Sequence, residues 1–111
     1  MQVENTKAQM RKGVLEFCIL SVLSTGDAYP SDIIRRLKDA NLIVVEGTLY
    51  PLLTRLKNAG LLSYRWQESQ AGPPRKYFAL TSEGHLFLNE LRASWDELVA
   101  SVARTTQNLN L

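Results

Sequence analysis

The last thirty or so residues constrain the fold more than any other stretch of this chain. Leu88, Leu91, Trp95, Leu98 and Val102 recur at steps of three, four, three and four, and Leu109 falls on the continuation. That spacing is a heptad seam. Thr81 suits an N-cap, so the pattern predicts one helix from there to about Thr106. Such a helix, about 25 residues at 1.5 Å each, is roughly 37 Å long. An apolar stripe on a surface helix usually packs back on its own domain. A helix of this length outruns what a chain of 111 residues can cover, so its distal half calls for a second copy. The expectation is a homodimer clasped by residues 81–111.

The period changes upstream. Met10 to Ser24 reads as a helix buried over most of its surface, ended by Thr25-Gly-Asp27. Residues 1–9 are polar and read as an N-terminal arm or an added helical turn. Pro30 opens a second helix to Ala40, with Ile33, Ile34 and Leu37 on one stripe. A third, about 47–59, carries Leu49, Leu52, Leu53 and Leu56 and stops at Gly60; Pro51 restricts its start to the residues just before. Residues 61–67 and 76–80 then read as two strands around a loop at 68–75. The fold class is therefore mainly α with a small β-hairpin: a winged helix-turn-helix over 10–80, followed by the long C-terminal helix.

Charge is uneven along this order. Residues 29–80 hold eight Lys or Arg against four acids, whereas residues 81–111 hold two against four. A basic middle suits phosphate and a less basic tail suits a partner chain. In a helix-turn-helix the second helix of the pair enters the major groove by its N-terminal residues. With the leucines facing the core, Thr48, Tyr50, Pro51, Thr54 and Arg55 remain to meet double-stranded DNA. On any amphipathic helix Tyr50 would more often be core and Arg55 merely solvated. The hairpin shifts that balance, because Gly72-Pro-Pro-Arg-Lys76 places Arg75 and Lys76 on a proline-stiffened wing. A winged helix that binds another protein instead of DNA is the competing reading. The localised cations at 55, 75 and 76 count against it.

Other chemistries find little support. His85 has no Cys or second His to complete a metal site, and no phosphate loop or nucleophile motif is present, so neither an enzyme nor a cofactor is expected. Cys18, alone and inside an apolar run, reads as a small buried hydrophobe in a reducing cytoplasm. That run is interrupted by Glu16 and is too short to span a membrane.

Two segments carry a resemblance to a known family. Gly-Thr-Leu-Tyr-Pro-Leu-Leu-Thr-Arg-Leu-Lys-Asn-Ala-Gly-Leu-Leu (47–62) and Gly-Pro-Pro-Arg-Lys-Tyr-Phe-Ala-Leu-Thr-Ser-Glu-Gly (72–84), with Trp66 between them, closely resemble the PadR family of bacterial transcriptional regulators. The resemblance spans residues 13–84. It implies a homodimeric repressor on an operator, with Thr48, Tyr50, Pro51 and Arg55 on the reading helix and Arg75 and Lys76 on the wing. Where many members have His-Gly-Tyr-Glu, this chain has Tyr29-Pro-Ser-Asp32, whose Tyr29 and Ser31 hydroxyls can donate to phosphate. Short members with a single C-terminal helix can enclose an aromatic-lined pore at the dimer centre. By position Trp95, Met10, Phe17 and Ser21 would line it and receive a small, flat apolar or aromatic effector; Trp95 as a plain dimer-core residue is the alternative.

Overall fold

The computed structural model describes residues 1–107; Leu109, placed on the seam above, lies outside the described residues. Five helices and one hairpin follow in order: α1 (Val3–Lys12), α2 (Leu15–Leu23), α3 (Pro30–Asp39), α4 (Glu46–Asn58), β1 (Leu62–Ser69), β2 (Gly72–Leu80) and α5 (Ser82–Thr106).

The N-terminal region differs from the expectation. A single helix from Met10 to Ser24 is replaced by two, broken at Gly13 and Val14, and α1 takes in most of the polar arm. Glycine is a poor helix former, and the two halves have opposite surroundings. No residue of α1 is buried, whereas α2 buries Leu15, Ile19, Leu20 and Leu23.

Pro30 takes the first position of α3, where its missing N–H costs nothing. The Tyr29 N–H donates to Asp32 Oδ2 at 3.1 Å and fixes the entry of the helix. Helix α4 begins at Glu46, further ahead of Pro51 than expected. The Gly47 carbonyl that Pro51 cannot serve belongs to an exposed residue, so water can take the bond. Ile19, Leu20, Ile33, Leu49, Leu53 and Leu56 make the fully buried centre, where α2, α3 and α4 meet.

The strands are longer and the turn shorter than the composition suggested. They pair antiparallel from Leu62↔Leu80 to Ser69↔Gly72, leaving Gln70 and Ala71 as the turn. Between Gln67↔Arg75 and Ser69↔Gly72 the register shifts. Pro73 and Pro74 occupy that bulge, where a strand tolerates a residue with no donor. Ala28 joins the other end of the hairpin through paired backbone bonds with Phe78, 3.0 and 2.9 Å long. The hairpin is thereby tied to the turn before α3.

Helix α5 starts as its N-cap predicts: Thr81 Oγ1 accepts from the Gly84 N–H at 3.0 Å and donates to the Gly60 carbonyl at 2.7 Å. Leu88 is buried and Leu91 half-buried, but beyond them the seam runs into solvent, with Leu98 54% and Val102 50% exposed. The molecule is accordingly elongated, 59 × 31 × 21 Å. Its 16.3 Å radius of gyration exceeds the roughly 13 Å of a compact chain near this length. Among the described residues no helix is long and apolar enough to cross a membrane.

Candidate nucleic-acid interface

Helix α4 divides its candidate residues between two flanks. With Leu49, Leu53 and Leu56 inward, Pro51 and Thr54 are exposed on the outer side. Thr48 shares a cleft with Ala8, Arg11 and Lys12 near the C-terminus of α1. Arg55, two turns on, pairs with Glu16 of α2. Tyr50 points the other way, into a groove of about 400 Å³ bounded by Pro30, Ser31, Glu46, Trp66, Pro74, Arg75 and Lys76. The starts of α3 and α4 and the hairpin therefore converge on one groove.

The wing is attached to α3 by a stack of rings and cations. Arg75 lies 4.0 Å above the Tyr29 ring and donates through Nη2 to Ser31 Oγ at 2.6 Å. Tyr29 meets Tyr77 edge to face at 4.7 Å, and Arg65 covers Tyr77 at 4.6 Å while pairing with Asp27 at 3.0 Å. Each cation faces the electron-rich side of a ring. Tyr29 and Ser31, expected as independent phosphate donors, are thus engaged with Arg75. Neighbours along a strand point to opposite faces, and Lys76 lies against the other set of rings, 4.5 Å from Tyr64 and 5.6 Å from Trp66. Arg75 and Lys76 do not sit at the hairpin tip, as the longer loop implied, but inside β2 at the base of its bulge.

Several contributors escaped the sequence reading. Trp66 is 62% exposed on the wing and lines the groove, an exposed tryptophan on a strand being the signal that could have marked it. Lys57 approaches the Tyr64 ring to 5.8 Å and adds a cation beside Lys76. Arg36, by contrast, has a structural role. It donates to the Val22 carbonyl and to Thr25 Oγ1, at 3.1 and 2.8 Å, and closes the C-terminus of α2.

Comparison with known proteins identifies the arrangement. Residues 19–90 match the Transcriptional regulator PadR-like family. The chain belongs to this family. A PadR-like transcription factor from Bacteroides fragilis is 63% identical, the match covering 91% of this chain and 98% of that one, with a TM-score of 0.77. A PadR family transcriptional regulator from Eggerthella lenta is 33% identical over 96% and 93% of the two chains, with a TM-score of 0.89. Bacillus subtilis PadR, solved in complex with operator DNA, is 25% identical over 70% of this chain and 46% of its own, with a TM-score of 0.65. These relatives are transcriptional regulators, not enzymes, and the winged-helix fold is theirs.

In this PadR-like chain a second, apolar site lies along α5. Met10, Val14, Trp95, Leu98, Val99 and Val102 border a groove of about 640 Å³ between α5 and the junction of α1 with α2. A smaller cleft beside it includes Phe17, whose ring centre is 6.3 Å from that of Trp95. Of the four residues expected around an effector, Met10, Phe17 and Trp95 line these hollows; Ser21 lines neither. Cys18, on the same helix, packs against the core, and burial pushes its thiol pKa up.

Proposed function

We propose that the protein is a homodimeric transcriptional repressor that occupies a pseudo-palindromic operator. Residues 10–80 read the DNA and residues 81–111 clasp the partner. The observation that carries this reading is the convergence of Ser31, Tyr50, Trp66, Arg75 and Lys76 on one groove beside the exposed start of α4. Cations and hydroxyls there suit phosphate, and Thr48, Pro51 and Thr54 remain for base edges and thymine methyls. The exposed seam from Trp95 to Val102 supplies the surface for a second copy, which sets two reading helices about 34 Å apart for successive major grooves. A flat apolar or aromatic compound seated at Trp95, between α5 and the α1–α2 junction, relieves repression by favouring a different separation. Only differential affinity for two arrangements can do this. The site of action is the cytoplasm.

The test is retardation of the DNA upstream of the protein's own gene. A specific, salt-sensitive complex is expected, with two chains per site. Replacing Arg75 or Lys76 by Ala should weaken binding to all sequences and make the salt dependence shallower by about one unit for each phosphate no longer neutralised. Retardation no stronger than with unrelated DNA would replace this reading with that of a protein-binding module.

A further inference from the structure

We propose that Glu16 competes internally for Arg55, holding its guanidinium until a DNA phosphate displaces the carboxylate. The inference rests on α4 being the DNA-contacting helix. Four ion pairs occur among the described residues. Two are local, Lys7 with Glu4 and Arg35 with Asp32, three residues apart. A third ties Asp27 to β1 through Arg65. The fourth joins Glu16 in the first turn of α2 to Arg55 on the reading helix, 39 positions away.

Glu16 is the one charged residue of α2, Leu-Glu-Phe-Cys-Ile-Leu-Ser-Val-Leu, and its side chain is more covered than that of Arg55. Paired with Arg55, the Glu16 carboxylate occupies a cation that would otherwise bind the phosphate backbone. Phosphate binding by Arg55 therefore exchanges one anion for another. The exchange leaves Glu16 half-buried without its partner, which lowers affinity for every DNA sequence.

The experiment is a double-mutant cycle read by fluorescence anisotropy with operator and unrelated duplexes at fixed salt. Glu16→Gln should tighten binding to both duplexes about two- to fivefold, the range for a partly exposed pair. Combined with Arg55→Ala it should change nothing. Glu16→Asp, which draws the carboxylate back while keeping its charge, should give a smaller gain and serves if the Gln variant folds poorly. Unchanged or weaker binding by the Glu16 variants overturns the proposal. So does an equal gain in the Arg55→Ala background, which would mark a general charge effect. Wild-type protein that ignores DNA would overturn the proposed function itself, whereas Arg55→Ala binding as wild type would overturn only the role of Arg55.

Discussion

Tyr29 is held between Arg75 on one side and Tyr77 on the other, and Ser31 Oγ accepts from the same arginine. The two hydroxyl residues act here by orienting the wing cation, so contact and positioning are separable by salt. Replacing Arg75 by Ala removes a charge and should flatten the dependence of log affinity on log salt by about one unit. Tyr29→Ala keeps the charge but frees its side chain; affinity should fall several-fold with the slope unchanged, because a cation–π contact at a partly exposed site contributes about 0.5–1 kcal/mol. Tyr29→Phe, which retains the ring, should bind as wild type. Anisotropy titrations at four salt concentrations check all three, and a reduced slope for Tyr29→Ala would make Tyr29 a phosphate contact after all. That Arg75 and Lys76 stand together on the hairpin was legible in the sequence, since they belong to one motif. Their partners were not, because Tyr29 and Arg75 meet only through pairing between Ala28 and Phe78.

At the scale of elements, periodicity and caps carried most of the fold. The stripes of α3 and α4, the stop at Gly60 and the Thr81 cap all follow from local residue chemistry. The hairpin was underestimated because prolines and small polar residues resemble loop composition, although a bulge in a two-stranded ribbon accommodates them. The break at Gly13 was missed for a related reason: an apolar run hides a change of partner. Helix α5 supplies a sharper test. A Cβ at Gly84 would collide with the Leu61 carbonyl oxygen and come within 2.7 Å of Leu80 Cδ1. Gly84→Ala should therefore destabilise the fold by about 1–3 kcal/mol despite the better helix propensity of alanine. The melting temperature should fall by roughly 4–8 °C per kcal/mol. An unchanged or raised melting temperature would show that α5 can shift away from Leu61 and Leu80 at little cost. Helix α2 connects the two sites, since Phe17 lies beside Trp95 and the preceding Glu16 holds Arg55.

For the whole molecule the decisive surface is the outer half of α5. Leu98 and Val102 are half-exposed in a single chain although they continue the stripe that Leu88 begins in the core. In the proposed dimer this stripe is buried between copies, so a charge within it should separate them. Leu98→Asp should shift sedimentation from dimer to monomer at micromolar concentration and abolish specific retardation, leaving the helices folded by circular dichroism. A dimeric Leu98→Asp protein would mean that the clasp lies elsewhere. Trp95 gives an optical check: an aromatic compound entering the groove should quench or shift its emission, and Trp95→Leu should lose most of that affinity while still dimerising.

The bare outer half of α5 also has a consequence for dosage. If the species that binds DNA is assembled from two chains, its abundance below the assembly threshold rises with the square of chain concentration. On a sparsely occupied operator, halving synthesis would then cut occupancy about fourfold. Dilution during cell growth alone would lift repression steeply, without any signal molecule.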